Sequence, residues 1–391
     1  MGKLTRVLLA TGLCFLAPAA VVPLTAQSPP PASTQVPSPP VLATVTLPLD
    51  GDIADLLAVS GSKLLAEIPH LGQHLVQPPP GMDEGTLKNL ATGAGASAFE
   101  PVLPVFASGS QPESEVDPPQ YIADALNQVY ADQALSMSPG TEVVMALVTG
   151  GLGGDLSSLQ IHQAAFDYVV GLAGVHARVD DEGAIMTRYV VEVMLAVYPH
   201  LVILPKSILD SDGWGLSFYA AKAIAEAADD GADVIYLGFE MESDSPAIEA
   251  AIQYAQERGA LLVAPAGNSF GGAVAFPASD PRVTSVAALD ENDELAPFTA
   301  LGADLSAPGV RLVAFEAFGV PVPCSGTGAA AAMVAGAMAL ARSVEPGAAD
   351  QIPQALVDGA RDVDAANLGL PEGSAGAGCL DVMGTVLQLL P

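Results

Sequence analysis

The chain has 391 residues, half of them hydrophobic, which is enough for one large domain and a smaller second one. Thirteen basic residues stand against 44 acidic ones and give a formal net charge of −31. A surface of this sign repels nucleic acid phosphates and anionic lipids, so we expect no nucleic acid partner. The charge favours solubility in a salty medium, with binding of cations or a basic partner as the alternative.

The first 42 residues are predicted to direct export and then to form a linker. Lys3 and Arg6 precede the apolar run Val7–Val22, the pattern of a secretory signal peptide over residues 1–26. The run is short for a membrane span, which predicts no stable membrane anchor after signal cleavage. We therefore expect a secreted protein, or one in the periplasm or cell envelope. Residues 27–42 are rich in Pro and Ser and predict an extended linker.

Residues 43–107 have the pattern of a small α+β unit of the ferredoxin-like kind. Ala43–Leu47 alternates as a strand, and Asp52–Ser60 places its apolar residues on one side of a short helix. Lys63–Val76 predicts two short strands about a turn, and a second helix and a last strand complete the unit. Residues 108–115 (SGSQPESE) follow as an acidic linker.

Residues 116–391 alternate apolar strand patterns with helical patterns, which predicts βαβ units. The predicted strands are Val143–Val148, Leu201–Pro205, Asp233–Phe239, Leu261–Ala266 and Val283–Ala288. The predicted helices are Thr187–Val197, Gly215–Asp229, Ser245–Arg258 and Ala329–Ser343. This order favours a doubly wound, mostly parallel sheet with helices on both faces.

Four segments of this domain occur in a characteristic order: Thr141–Gly151 (TEVVMALVTGG), Asp180–Gly183 (DDEG), Gly259–Asn268 (GALLVAPAGN) and Gly326–Gly336 (GTGAAAAMVAG). They resemble a strand ending D-T-G, a DDNG run that leads into H-G-T-H-V-A-G, the run G-x-x-V-V-A-A-A-G-N, and G-T-S-M-A-x-P-H-V-A-G. These are segments of the subtilisin-like serine peptidases, the subtilases. The resemblance implies the subtilisin-like α/β fold for residues 116–391.

The small unit at residues 43–107 resembles the inhibitory propeptide of the same family. The order of a helix, a strand pair, a PPG turn, a second helix and an EP strand carries this resemblance. A generic ferredoxin-like module is the alternative.

All three positions of the family's catalytic triad are substituted. The resemblance places the aspartate at Val148, the histidine at Ala184 and the serine nucleophile at Gly328. An apolar side chain cannot orient an imidazole, alanine cannot accept a proton, and glycine has no oxygen with which to attack a carbonyl. We therefore expect a pseudoenzyme. The histidines of the chain are read as surface or structurally satisfied residues: His70, His74, His162, His176 and His200.

The resemblance also outlines a substrate cleft. Asn268 occupies the oxyanion-hole position, although an Asn after Gly267 equally suits a tight turn. In the family the strand that follows D-V-I-N continues M-S-x-G and pairs with extended substrate. Here Gly238 replaces the serine, Phe239 follows, and Glu240 replaces the glycine. The side chain of Glu240 is expected either to block the cleft or to favour a basic ligand.

Cysteine chemistry and metal binding give weaker signals. The exported part has two cysteines, Cys324 and Cys379, which are candidates for a disulfide in an oxidising compartment or for two buried thiols. No metal-ligand or phosphate-loop motif occurs, so we expect no cofactor. Acidic runs such as Asp290–Glu294 would allow calcium, as family members often bind it, but a solvated surface is the simpler interpretation.

These patterns predict a pseudoprotease that binds polypeptide, or its own propeptide-like module, without cleaving it. Two alternatives stay open. One is an active serine endopeptidase whose catalytic residues come from unexpected positions. The other is an interaction or structural protein that works through its acidic surface. The oligomeric state has no signature in the sequence.

A chain without a nucleophile cannot remove its own propeptide, so residues 43–107 are expected to stay covalently attached in the exported protein. Intact-mass measurement on the secreted protein checks this. A mass corresponding to an N-terminus near residue 110 would contradict it, or would implicate another protease.

Overall fold

The computed structural model describes residues 41–108, 120–153, 156–174, 182–317 and 320–390. The predicted signal peptide, the Pro/Ser-rich linker up to residue 40, and residues 109–115 of the acidic linker lie outside the described residues. The chain divides into two compact units, Met1–Pro101 and Val102–Pro391.

The smaller unit is a four-stranded antiparallel sheet with two helices. Its strands are β1 (Ala43–Thr46), β2 (Lys63–Ile68), β3 (Gln73–Gln77) and β4 (Ala98–Pro101), in the order β2-β3-β1-β4. Its helices are α1 (Ile53–Ser60) and α2 (Glu84–Gly93), and a 3₁₀ turn (Pro69–Leu71) joins β2 to β3. A core of Val45, Leu56, Val76 and Leu87 holds sheet and helices together.

Local sequence sets the ends of α1 as the sequence pattern predicts. The Asp52 carboxylate accepts a hydrogen bond from the Ala54 amide at 2.8 Å and so caps the first turn. Gly61 ends the helix at φ +68°, a left-handed conformation that glycine adopts without strain.

The larger unit is built around an eight-stranded sheet. Its strands are β7 (Val143–Gly150), β8 (Phe166–Asp167), β9 (Leu172–Ala173), β10 (Leu201–Leu209), β12 (Val234–Leu237), β14 (Leu261–Pro265), β15 (Thr284–Leu289) and β16 (Leu305–Pro308). Two three-stranded sheets add β5 (Pro104–Ala107), β11 (Trp214–Leu216) and β13 (Phe239–Glu240) in one, and β6 (Gln120–Tyr121), β17 (Leu312–Ala317) and β18 (Val320–Cys324) in the other.

Helices and short 3₁₀ turns connect these strands. The helices are α3 (Ile122–Gln128), α4 (Ala131–Leu135), α5 (Glu182–Val197), α6 (Ser217–Asp229), α7 (Pro246–Glu257), α8 (Thr327–Val344), α9 (Ile352–Gly359) and α10 (Val382–Leu389). The 3₁₀ turns are Pro346–Gln351 and Asp364–Ala366.

The main sheet is parallel except at one edge. Its order is β16-β15-β14-β12-β7-β10-β8-β9, and only the β8–β9 pair is antiparallel. The chain therefore winds outward from β7 in both directions, which confirms the doubly wound sheet predicted from the sequence.

Helices cover the sheet in two packed pairs. Val143, Met145 and Leu147 of β7 belong to one buried cluster with α5 and α8. The alternate residues of β7 point to the other face, and α6 and α7 pack against each other. Gly336 of α8 allows a close approach to α5, because a Cβ there would lie 2.7 Å from the Cβ of Val197.

Within the part of the chain that the structure describes, one helix is long and apolar enough to cross a membrane by length and composition. It is α8, whose mean hydropathy is 1.3, and 83% of it is buried inside the fold. Core helices of large α/β domains have the same properties.

Most differences from the predicted elements lie at their ends. The helix predicted from Thr187 begins at Glu182, and the helix predicted from Gly215 begins at Ser217. The strand predicted over Asp233–Phe239 is two strands, because the chain leaves the main sheet at Gly238 and enters the small sheet with β5.

One difference concerns the domain boundary. The last strand of the predicted 43–107 module, Pro104–Ala107, belongs to the larger unit, because its backbone pairs with β11 and β13. The small unit ends at Pro101, six residues earlier than the sequence pattern placed its end.

The approach of α8 to α5 predicts an unusual effect of adding one methyl group. Gly336→Ala should lower the free energy of unfolding by about 1–3 kcal/mol, although alanine favours helix, because the methyl overlaps Val197. Chemical denaturation measures the change. Gly347→Ala is the matched control: its new Cβ would have its nearest neighbour at 3.8 Å, an ordinary contact. We expect it to stay within about 0.5 kcal/mol of the parent; equal effects of both changes would contradict the packing.

Candidate functional site

A groove in the larger unit holds a strand of the chain itself. The backbone of β5 lies antiparallel between β11 and β13, with Phe106 opposite Trp214 on one side and opposite Glu240 on the other. Leu103 precedes the strand and exchanges two hydrogen bonds with Ser217, at 3.0 and 2.9 Å. The segment is therefore bound by main-chain hydrogen bonds along both edges, which is how β-sheet grooves bind extended peptides.

The side chains of β5 fit the two walls of the groove. Val105 is fully buried, and Gly215 opposite it has no room for a side chain, since a Cβ would lie 2.9 Å from a Val105 methyl. Phe106 packs edge-on against Trp214 with ring centroids 4.5 Å apart. Gly213 leaves room for the methyl group of Ala107 in the same way, because a Cβ on Gly213 would lie 3.2 Å from that methyl.

Glu240 does not close the groove. The cleft residues predicted from the sequence, Phe239 and Glu240, pair through their backbones with Ala107 and Phe106. The expectation that a side chain at residue 240 blocks the approach of a strand is therefore wrong for this segment. The carboxylate instead extends beside Gly267, with Oε2 3.3 Å from the place of a Cβ on that glycine.

A cavity of about 310 Å³ opens at the end of the groove, where Ala107 and Ser108 reach it. Its walls include Thr149 and Gly150, directly after Val148, and Met186 and Thr187, two and three residues after Ala184. Gly328 itself also lines it. The fold thus brings together the chain around all three positions that the sequence placed in a catalytic triad.

None of these three positions supplies a reactive side chain. Val148 is fully buried in β7, and its carbonyl accepts a hydrogen bond from the Gly238 amide at 3.0 Å. Ala184 is fully buried in the first turn of α5. Gly328 lies in the first turn of α8.

Tyr236 occupies the space in front of Gly328. Its hydroxyl donates a hydrogen bond to the Gly328 carbonyl at 3.1 Å and lies 3.3 Å from where a Cβ on Gly328 would be. Burial raises the pKa of Tyr236, so the hydroxyl stays protonated and remains a donor. A side chain at residue 328 would press on this hydroxyl.

Tyr236 also leaves no room for a side chain at residue 238. A Cβ at Gly238 would lie 2.6 Å both from the Tyr236 ring and from the Thr149 hydroxyl oxygen, which donates to the Gly238 carbonyl at 3.1 Å. The ring of Tyr236 therefore requires glycine at residue 238, and its hydroxyl crowds any side chain at residue 328. Sequence reasoning identified the two glycines and missed the tyrosine, although Tyr236 stands where the family run D-V-I-N has its asparagine.

Asn268 joins the loop after β14 to the start of α8. Its side-chain oxygen accepts hydrogen bonds from the amide and the hydroxyl of Thr327, at 3.1 and 3.2 Å. Because a backbone amide can only donate, this contact fixes which end of the carboxamide faces the helix. Gly267 before it has φ +104° and donates to the same hydroxyl at 3.3 Å. The pair has the geometry of a tight turn that caps a helix.

A second cavity, of about 350 Å³, lies on the other side of Glu240. Phe106, Glu240, Glu242, Gly267 and Asn268 are among the residues that line it. The Glu240 side chain is half-buried there, and burial raises its pKa.

Of the two alternatives that the sequence left open for Cys324 and Cys379, a disulfide or two buried thiols, the structure has the second, because both thiols are free and buried. They are in different surroundings. The Cys324 sulfur lies 3.4 Å from the Met186 sulfur beside the first cavity, whereas Cys379 pairs through its backbone with Arg361.

The described histidines lie away from both cavities. His70, His74, His162 and His200 line neither one, and His176 lies outside the described residues. Among the described residues no group of three or more His, Cys, Asp or Glu could hold a metal ion. For the acidic run Asp290–Glu294 a solvated surface stays the prediction, with calcium binding as the alternative.

Comparison with known proteins points to one family. The family model described as the subtilase family, Peptidase S8, matches residues 170–378. A thermophilic serine proteinase of Bacillus sp. (strain AK1) is 38% identical over 147 residues, which are 37% of this chain and 37% of the relative. Subtilisin Savinase of Lederbergia lenta is 32% identical over 155 residues, 39% of this chain and 58% of the relative. The halolysin-like extracellular serine protease Nep of Natrialba magadii is 35% identical over 179 residues, which are 45% of this chain and 32% of the relative. The matches therefore span less than two thirds of these relatives.

Solved structures share the fold over most of the chain. Fervidolysin of Fervidobacterium pennivorans, a keratinolytic enzyme related to subtilisin, superposes with a TM-score of 0.73 at 21% identity, covering 90% of this chain and 62% of that one. A mutant of the epidermin leader peptide processing serine protease of Staphylococcus aureus gives a TM-score of 0.72 at 18% identity, covering 89% and 99%.

The buried contacts of β5 predict which of its side chains hold the strand in place. Val105→Ala removes two methyl groups from a fully buried position and should cost about 1.5–3 kcal/mol of strand binding. Amide hydrogen exchange over residues 103–108 should then become at least roughly tenfold faster. Pro104→Ala, at an exposed position of the same strand, is the control and should leave the exchange almost unchanged. Faster exchange in the control alone would refute the assignment.

Proposed function

This chain belongs to the subtilase family, and from that membership we propose that it is an exported pseudoprotease. In this proposal the groove between β11 and β13 binds an extended polypeptide without cleaving it. The first occupant is the chain's own segment Pro104–Ala107.

The observation that carries this proposal is the pairing of β5 next to a site without a nucleophile. The segment is held along both edges and ends at the cavity that Gly328 lines. Acyl transfer needs a nucleophile, a base and a group that orients the base. Loss of one member already removes most of the activity, and losses within a triad do not add. With Val148, Ala184 and Gly328 in the three places, a bound strand meets no attacking group.

The Tyr236 hydroxyl supports the same proposal, because it lies 3.3 Å from the place of a Cβ at residue 328 and so crowds a serine there. An enzyme that had lost only its serine would not need a bulky side chain beside residue 328. Here a bulky side chain and two glycines beside it line the cavity at the end of the groove. This surface suits a site that retains its ligand.

The rival function, an active serine endopeptidase, requires a serine and a histidine within hydrogen-bond reach of each other. Ser325, the serine nearest to Gly328 in the sequence, is buried and accepts a hydrogen bond from the Arg311 amide at 2.8 Å. The described histidines line neither cavity. This function therefore has no supporting geometry within the described residues.

Export is part of the proposal and rests on the signal-like sequence at residues 1–26. One relative, the protease Nep, is described as extracellular. The acidic composition, with a net charge of −31, suits a protein that stays soluble outside the cell at high salt.

The proposal predicts that the purified protein neither reacts with a fluorophosphonate probe nor hydrolyses unstructured protein substrates above background. The restored variant Val148→Asp/Ala184→His/Gly328→Ser should also stay unlabelled, because Tyr236 crowds the new serine. Adding Tyr236→Asn removes that obstacle, so any recovered labelling should depend on this fourth change. In-gel fluorescence after probe treatment measures the labelling of all three proteins. An active subtilisin is the positive control.

Labelling of the unmodified protein would overturn the pseudoprotease. Labelling of the triple variant, at a rate equal to that of the fourfold variant, would show instead that Tyr236 is no obstacle. Circular dichroism on each variant separates a loss of fold from a lack of reactivity.

A further inference from the structure

The cavity of about 350 Å³ beside β13 contains a carboxylate that no cation neutralises among the described residues. Glu240 extends into it next to Gly267, and no hydrogen bond or ion pair to this carboxylate occurs within the described part of the chain. A half-buried carboxylate without a partner is unfavourable, because it loses water without gaining a compensating contact.

Three other buried or half-buried carboxylates of the larger unit are each paired with a cation. Asp293 binds Arg361 through two hydrogen bonds at 2.6 and 2.8 Å, and Asp280 binds Arg282 at 2.8 Å. Asp230 lies 2.7 Å from the buried Lys206 ammonium. Glu240 differs from these groups in lying at an open cavity, where an outside group can reach it.

The groove brings a polypeptide side chain to the same place. Phe106 of β5 lies directly opposite Glu240 in the antiparallel register and lines the cavity. Directly opposite residues of paired strands have Cβ atoms about 4.5–5.5 Å apart on one face of the sheet. In the resting chain this position carries an aromatic ring, which packs on Trp214 and gives the carboxylate no charge partner.

We propose that this cavity binds the guanidinium or ammonium group of an arginine or lysine side chain, carried by an extended polypeptide that pairs with β13. The polypeptide partners of the groove are then selected for a basic residue opposite Glu240. This inference rests on the proposed function, because it needs a strand in the groove.

The chemistry of the cavity favours a cation over the other side chains. An acidic side chain would meet Glu240 and Glu242 with like charge, and an apolar one would leave Glu240 desolvated and unpaired. A basic group forms charge-assisted hydrogen bonds with the carboxylate, which are stronger than bonds between neutral groups. The net charge of −31 also attracts basic chains to this surface.

The chain's own strand provides a test without an external ligand. Phe106→Arg places a guanidinium opposite Glu240, and Phe106→Gln is the neutral control, since both lose the contact with Trp214. Each is made in the full chain with Glu240 and with Glu240→Gln. Hydrogen exchange over residues 103–108 reports how tightly the strand is bound. If the Phe106→Arg protein does not fold, Phe106→Lys serves as a second basic variant.

With Glu240 present, the arginine strand should exchange about tenfold more slowly than the glutamine strand, as about 1.4 kcal/mol of pairing would give. With Glu240→Gln this difference should vanish. Glu294→Gln, a change at an exposed acid outside both cavities, should preserve the difference.

The experiment distinguishes failure of the proposed function from failure of this inference alone. If residues 103–108 exchange at the rate of an unprotected peptide in the unmodified chain, the strand is not held and the proposed function fails with this inference. If the unmodified strand is protected but both basic variants exchange at the rate of the glutamine variant, only the basic-residue selectivity is overturned.

Discussion

The hydrogen bond from the Tyr236 hydroxyl to the Gly328 carbonyl is the contact on which the character of the site depends. It places a large, uncharged side chain 3.3 Å from the place of a Cβ at residue 328, the position that the sequence resemblance assigns to the nucleophile. It also explains why residue 238 is glycine, since any side chain there would overlap the tyrosine ring. The position of Tyr236 thus connects the glycines at residues 238 and 328, two departures from the family pattern that otherwise look unrelated.

The groove beside this contact has kept the features that bind a strand. Gly215 admits the buried Val105, and both edges of β5 are paired with the backbone of the larger unit. A peptidase holds such a strand only until it is cut. Where the attacking group is absent, the same hydrogen bonds become a stable association, and selectivity then comes from the side chains around the strand. Glu240 is the charged member of that set.

The sequence predicted the fold well because alternating strand and helix patterns determine a doubly wound sheet almost alone, and the four family segments occurred in order. Gly328 and residues that follow shortly after Val148 and Ala184 line one cavity, so the three positions that the resemblance assigned to a triad lie near each other. The sequence did not predict that Pro104–Ala107 belongs to the larger unit, since a strand pattern does not name its partner. The sequence did not reveal the role of Tyr236, because that role depends on where its ring lies relative to residues 238 and 328, which are distant from each other in the chain. The free state of Cys324 and Cys379 likewise depends on where distant segments meet.

The most direct test of the central claim is a crystal structure of the protein purified after export. The account predicts an unbroken chain with Pro104–Ala107 paired between β11 and β13, and the Tyr236 hydroxyl within hydrogen-bond distance of the Gly328 carbonyl. A chain cut after the strand, or a groove without Pro104–Ala107 and with Tyr236 turned away from Gly328, would contradict it.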